Sequence, residues 1–197
     1  MSHKQYSVFF LICPLFAFSA CSGACSGHGQ QSTVRGALAN AAEALEARDA
    51  VRFFATLDER TRFAMIATVD ARRTARSLIE ADYPESEKAG ALTALGEAAE
   101  VSSGGELFAL RCDQACLAQF ADAVGAPASE VVVGDEVEVT TVRGRTLRMH
   151  AGRDGDFGIV WSTDATSIER KRASSELKRI QENAAIYRRR AELVKSR

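Results

Sequence analysis

Two cysteines four residues apart, in the stretch Cys112-Asp113-Gln114-Ala115-Cys116, have the spacing that most directly suggests chemistry. In an oxidising compartment such a pair is expected to form a structural disulfide. On one continuous helix the two Cβ atoms would lie too far apart for this bond, but Cys112 can fold back toward Cys116 if Asp113 caps the following helix. The alternative is redox or soft-metal chemistry at the two thiols.

His150 is the other side chain with two possible roles. If it faces Glu138 across a hairpin, the two could act as an acid/base pair, because a carboxylate can orient an imidazole for proton transfer. We favour a simple cross-strand ion pair.

The C-x-x-x-C spacing of Cys112 and Cys116 also resembles that of thioredoxin-like copper chaperones, which add a distant histidine. In that alternative the histidine would be His150.

The familiar catalytic patterns are missing from this sequence. It contains no G-x-S-x-G, no phosphate-binding loop and no H-E-x-x-H. A hydrolase would therefore have no visible starting residue, and beyond the weak candidates His150 and Glu138 we expect no catalytic residue, no metal and no cofactor. An enzyme is not the interpretation that we prefer.

An apolar run, VFFLICPLFAF, follows Lys4 near the start of the chain. It is typical of a secretory signal and is too short for a bilayer whose hydrocarbon is ~30 Å thick. The stretch Phe18-Ser19-Ala20-Cys21 then resembles the bacterial lipobox, in which an apolar residue and two small residues precede a cysteine that becomes lipidated. The resemblance implies that residues 1–20 are a lipoprotein signal and that Cys21 carries the membrane anchor.

The residues after Cys21 bear on where the protein goes. In lipoproteins of two-membrane bacteria, a serine after the lipidated cysteine, here Ser22, usually accompanies sorting to the outer membrane, with the protein facing the periplasm. Cleavage before Cys25 would instead suit ordinary signal peptidase and give a secreted protein. Residues 21–32 are rich in Gly, Ser and Gln, so we predict a flexible tether there.

Positive charge is concentrated at the end of the chain. Residues 165–197 contain ten Lys/Arg and four Asp/Glu, whereas residues 21–164 contain 14 and 22. In a cytoplasmic protein such a segment would suggest nucleic acid, but export argues against that partner. Lipid headgroups, cell-wall carboxylates and partner proteins are the anions available outside the cytoplasm. The predicted contact surface consists of Arg170, Lys171, Arg172, Arg188, Arg189 and Arg190.

Helical periodicity dominates the chain up to about residue 124. Apolar spacing predicts a helix over residues 34–45, and Asp49 can cap a long helical segment over residues 50–83. Pro84 is predicted to open a further helix, the pair Gly104-Gly105 to interrupt the chain, and two short helices to follow.

The period changes to two after Val131. Residues 136–142, 146–151 and 157–163 alternate between apolar and polar and are separated by glycine-containing turns. We expect a meander of three or four antiparallel strands, with Val139 facing Met149 and Glu138 facing His150. The preceding helices must cover its apolar face.

The chain then returns to helix over residues 164–197. Thr166 to Glu169 have the spacing of a capping box, and seven apolar residues recur at intervals of three and four. This seam could pack on the domain or pair with a second chain, and we favour packing on the domain, or a loose projection from it, over a coiled-coil dimer. The seam consists of Ala173, Leu177, Ile180, Ala184, Tyr187, Ala191 and Val194.

The stretches ALEARDAVRFFATLD and TTVRGRTLRMHAGRDGDFGIVWST together resemble the first helices and last strands of the nuclear-transport-factor-2-like superfamily. This resemblance implies a cone of helices over a curved sheet. Members of the superfamily include enzymes, binding proteins and assembly scaffolds, so the resemblance leaves the function open.

We therefore predict an α+β protein. Residues 33–163 form a single domain, with N-terminal helices packed on a C-terminal antiparallel β-meander, and residues 164–197 form a long basic helix. The preferred function is a lipid-anchored extracytoplasmic binding or assembly module. One alternative is a ligand-binding or enzymatic pocket near Met149, Ile159 and Trp161; the other is a thiol or copper role for Cys112 and Cys116.

Overall fold

The computed structural model describes residues 31–161 and 163–196 and confirms the predicted α+β class. Helices precede a four-stranded antiparallel sheet, and a long helix follows it. The predicted signal, Cys21 and Cys25 lie outside the described residues. Within the described ranges, every helix is too short or too polar to span a bilayer.

Seven α-helices and four strands make up the described structure. The helices before the sheet are α1 (Val34–Glu46), α2 (Ala50–Phe54), α3 (Glu59–Asp82), α4 (Glu85–Leu95), α5 (Gly104–Arg111) and α6 (Gln114–Ala123), with a 3-10 turn at Glu97–Ala99. The strands are β1 (Pro127–Val133), β2 (Glu136–Thr141), β3 (Thr146–Ala151) and β4 (Phe157–Ile159), and the last helix is α7 (Thr163–Lys195).

The long helical segment predicted over residues 50–83 is wrong, because it is two helices. The linker between α2 and α3 runs beside β4, where the Asp58 N–H donates to the Ile159 carbonyl at 2.9 Å and the Ile159 N–H donates to the Thr56 carbonyl at 3.0 Å. Asp58 then starts α3, since its buried carboxylate accepts the N–H groups of Arg60 and Thr61. The sheet contact therefore interrupts the helical pattern.

Glycine and proline mark boundaries that differ from the predicted ones. Gly104 and Gly105 do not interrupt the chain; they open α5 behind the N-cap Ser103. A Cβ on Gly104 would lie 2.8 Å from the Ile66 side chain, so only glycine lets α5 approach α3 this closely. Pro84 is the N-cap of α4 and not its first residue, and the helix ends at Gly96, whose φ is +69°.

The sheet has the order β1-β2-β3-β4, and its register corrects the predicted pairing. Val137 is opposite Met149, and Val139 is opposite Leu147. The hairpin is shifted by two residues because Gly144, at φ +72°, is the left-handed residue after a turn and not its centre. A shift of two leaves each side chain on its predicted face, but it places Glu138 opposite Arg148 instead of His150.

The apolar face of the sheet and the helices form the main core. Val139, Met149 and Ile159 are at most 1% exposed. Phe53 and Phe108 pack in the same cluster, with ring centres 5.9 Å apart. This core holds the start of α3 against the sheet.

The helix α7 packs beside α3, as favoured from its apolar seam. Contacts join Phe63 to Arg170, Arg72 to Glu176 and Asp82 to Arg188, so the two helices run in the same direction. Thr166 lies inside α7, which begins at Thr163, and so is not a cap. A second apolar cluster, separate from the main core, joins α7 to α3 and α4. Its buried members are Ala75, Ile79, Tyr83, Leu95, Ala99, Ile180 and Ala184.

Candidate functional site

A disulfide joins Cys112 to Cys116, with a Cα–Cα distance of 5.1 Å. Asp113 caps α6, because its side chain accepts the Cys116 N–H at 2.9 Å. Cys112 is the C-cap residue of the preceding helix, α5. The Cys112 side chain belongs to the main core, with Cys116 packed against it. The bond thus ties the end of α5 to the start of α6 at the edge of the core. His150 is packed elsewhere, under the start of α3.

His150 lies in a charged cluster under the start of α3. The structure does not join it to Glu138, which is exposed, but places its Nε2 3.7 Å from Asp135. Its Nδ1 is buried and has no hydrogen-bond partner within the described structure. His150 therefore lines a groove at the start of α3, but it does not form the predicted pair with Glu138.

Arg60 is the centre of this cluster. Its guanidinium lies 3.1 Å from Asp58, 2.7 Å from Glu136 and 3.4 Å from Asp135. Desolvation acts to lower the pKa of Arg60, but its hydrogen bonds and ion pairs to Glu136 and Asp58 together outweigh this effect, so the pKa is raised. Arg60 is thus fully compensated, and its role is to hold the start of α3 over the sheet.

The exposed ring of Phe63 lies where three open grooves meet, and 58% of the residue is exposed. The grooves have volumes of about 400, 570 and 280 Å³. We call this region the Phe63 trough. Its floor is α3, and its two walls are the turn after β3 and the first part of α7. Its principal lining residues are Phe63, Ala67, His150, Arg153, Arg170 and Lys171.

Two cations of the trough lack a carboxylate partner. Arg153 pairs with Glu59 at 3.2 Å. The guanidinium of Arg170, in contrast, lies 5.5 Å from the centre of the Phe63 ring, and in the described ranges neither it nor Lys171 forms an ion pair. A guanidinium over an aromatic face is attracted by the ring quadrupole. Phe63 was not predicted from the sequence as a site residue, because one aromatic residue in a helix more often marks the core.

The predicted contact residues of α7 do not all lie together. Arg188 turns toward α3 and pairs with Asp82 at 3.2 Å, and Arg170 enters the trough. Lys171, Arg172, Arg189 and Arg190 are exposed. Two further exposed cations, Lys178 and Arg179, were not predicted from the sequence and fall on the same side of the helix.

Six cations form one stripe along the outward side of α7, which we call the basic stripe. Its members are Lys171, Arg172, Lys178, Arg179, Arg189 and Arg190. They recur at intervals that place them opposite the buried Ala173, Ile180 and Ala184. Ile186, 40% exposed, lies between them, Leu193, 66% exposed, follows them, and Glu182 is an acidic residue on this side.

The predicted pocket near Met149, Ile159 and Trp161 is filled by side chains. Met149 and Ile159 are 0% and 1% exposed, and Trp161 packs edge-on against Phe108 with ring centres 5.0 Å apart. The described structure therefore gives no support to a ligand-binding pocket at this place.

Comparisons of the chain with protein-family models, curated proteins and solved structures found no match. The resemblances to lipoproteins and to the nuclear-transport-factor-2-like superfamily therefore stay predictions.

Proposed function

We propose that the protein is a lipid-anchored binding module of the bacterial envelope, which rests on an anionic membrane surface through the basic stripe of α7. The observation that carries the proposal is the arrangement of six exposed cations around two exposed aliphatic residues on one side of a rigidly packed helix. A cluster of about four to eight Lys and Arg on one side of a helix is typical of binding to anionic lipid headgroups.

The position of the predicted tether supports a membrane partner. The Phe157 N–H donates to the Gln31 carbonyl at 2.8 Å, so the chain leading from Cys21 joins the domain beside β4. Because α7 begins four residues after β4, its first turn is close to this point. Nine residues lie between Cys21 and Gln31, and the ten Cα–Cα steps that join these two residues span at most ~35 Å. An acylated Cys21 would therefore keep the stripe within reach of the bilayer.

The packing of α7 supports a fixed contact surface. A buried pair, Arg72 with Glu176, joins α3 to α7, and Tyr83 packs against Tyr187 with ring centres 4.9 Å apart. These contacts hold the inward side of α7, so the outward side is presented at little further cost in conformational entropy. Each cation near an anionic surface supplies about 1 kcal/mol.

Co-sedimentation with lipid vesicles tests the proposal. The mature chain with Cys21→Ser, oxidised to keep the disulfide, is mixed with vesicles of phosphatidylcholine alone or with phosphatidylglycerol. We expect binding only to the anionic vesicles, falling as salt increases. Replacing Lys178, Arg189 and Arg190 by Gln should weaken binding by about a hundredfold, since three contributions of about 1 kcal/mol are lost.

A matched control removes the same charge from other surfaces. Arg35, Arg143 and Arg145 are exposed residues of α1 and of the β2–β3 turn. Replacing these three by Gln removes the same net charge but leaves the basic stripe unchanged. If the stripe makes the contact, vesicle binding should stay within about twofold of the unmodified chain. Equal losses in the two triple variants, or no binding to anionic vesicles at low salt, would refute the proposal. Intact-mass analysis of the membrane-extracted protein separately tests acylation of Cys21.

A further inference from the structure

We propose that the Phe63 trough is a second binding site, which takes an acidic segment of a partner protein through one apolar anchor side chain. The trough shares Lys171 with the basic stripe but is otherwise separate from it, since Arg170 and the Phe63 ring lie on the side of α7 that meets α3. The inference goes beyond the proposed membrane contact and does not depend on it.

The shape of the trough favours a narrow occupant. The ring of Phe63 lies between the turn after β3 and the start of α7, and three grooves of about 280 to 570 Å³ extend from it. Ala67 and Ala151 have short side chains and leave the space beside the ring open. A peptide side chain can enter between the two walls, whereas a flat bilayer surface meets the walls first.

The chemistry of the trough favours an apolar anchor. Apolar surface that lies in a groove and is rimmed by polar residues marks interaction sites, and the exposed ring of Phe63 lies in such a groove beside Arg170 and Lys171. Aromatic residues and arginine are the residues that most often dominate binding energy at protein interfaces. Covering the exposed part of Phe63 with a leucine or aromatic side chain would remove apolar area from water on both partners.

The charges of the trough favour carboxylates beside that anchor. Glu59 is occupied by the guanidinium and the backbone N–H of Arg153, each at 3.2 Å. Arg60 already pairs with the carboxylates of Asp58 and Glu136. Arg170 and Lys171 are left as the uncompensated charges next to the ring, within the described residues. Carboxylates placed on either side of the anchor would complement these two cations.

Selection from a random dodecapeptide phage library tests the inference. The target is the mature, oxidised chain with Cys21→Ser, and the Phe63→Ser variant serves for counter-selection. We expect the selected peptides to carry one large apolar residue flanked by Asp or Glu. Synthetic copies of them, measured by fluorescence anisotropy, should lose about tenfold or more in affinity for Phe63→Ser and for Arg170→Glu.

Two control variants separate the trough from general stickiness. Val132 lies on the edge strand β1 and is 76% exposed, so Val132→Ser removes a comparable exposed apolar residue. Arg189→Glu makes the charge change of Arg170→Glu on the basic stripe. Both controls should bind the peptides within about twofold of the unmodified chain. Because Phe63 is largely exposed, Phe63→Ser is expected to fold, and Phe63→Leu should keep part of the affinity.

Three outcomes would overturn the inference. These are a failure of any peptide to be enriched, enrichment of peptides without acidic residues, and equal loss of affinity in the trough and control variants. The assay contains no lipid, so its result is independent of the vesicle experiment.

Discussion

Replacing Gly158 by Ala should lower the free energy of unfolding by a measurable amount. The backbone of the α2–α3 linker packs against β4 at the place where the new Cβ would lie. That Cβ would be 2.5 Å from the Asp58 Cα and 2.6 Å from the Asp58 nitrogen, and both are backbone atoms that cannot rotate away. Ordinary contact begins at 3.4 Å, so the strand and the linker would have to separate by about 0.9 Å.

The cost of this separation can be worked from the local contacts. Two backbone hydrogen bonds, at 2.9 and 3.0 Å, join residues 56–58 to Ile159, and each contributes about 1 kcal/mol. Strain from overpacking adds about 1 to 3 kcal/mol. We therefore expect Gly158→Ala to lower the free energy of unfolding by about 3 to 5 kcal/mol, out of a total of about 5 to 15 kcal/mol for a domain of this kind.

Urea unfolding followed by the fluorescence of Trp161, the single tryptophan, measures the effect. Gly90→Ala is the matched control, because Gly90 is exposed within α4 and a Cβ there has no atom within 4 Å. The same chemical change should stabilise the protein at Gly90 by up to about 1 kcal/mol. A Gly158→Ala variant within about 0.5 kcal/mol of the unmodified protein would refute the reasoning.

Two further predictions concern the contacts that position α7 and α5. Glu176→Leu leaves the buried Arg72 without its partner and should lower the free energy of unfolding, measured in urea, by about 3 kcal/mol. The double variant with Arg72→Met should recover most of this loss. Equal stabilities of the single and double variants would contradict this prediction. The pKa of Glu106 is lowered, first by the Ser102 backbone N–H that donates to it and then by the Ser102 hydroxyl. Its carboxylate therefore stabilises α5 fully above the ordinary glutamate pKa of about 4.3 and loses the effect as the pH falls through the lowered value. The difference in urea midpoint between the unmodified chain and Glu106→Gln should be constant from neutral pH to about pH 5 and shrink below it, and a difference unchanged at pH 3 would contradict the assignment.

Local patterns predicted most of the elements because the residues that decide them are close in sequence. The apolar spacing of α1, the caps Asp49 and Asp113 and the alternation of β2 and β3 all act within a few residues. The side-chain faces of the hairpin were predicted for the same reason. The pairing of His150 with Glu138 was wrong, because it depended on which turn residue adopts positive φ.

The boundaries that depend on distant contacts were not predictable in the same way. Nothing within residues 50–83 signals that the linker at Thr56 to Asp58 pairs with β4, about 100 residues later. The trough is a similar case, since Phe63 and Arg170 meet only because α7 packs parallel to α3. A signal for Phe63 was still present in the sequence: Phe63 and Ala67 fall on a side of α3 that lacks a regular apolar stripe.

The last two turns of α7 extend beyond the helices that pack beside it, and a membrane contact would give these turns a binding surface. The pairs Asp82–Arg188 and Glu87–Tyr187 are the last described side-chain contacts between α7 and the helices beside it. Beyond them Leu193 and Val194 are 66% and 76% exposed, so two turns of helix extend without a core. In water such an end has little to stabilise it. An anionic bilayer would receive the aliphatic side chains and bind Arg189 and Arg190 together, which makes the end of α7 the part of the helix most sensitive to membrane contact.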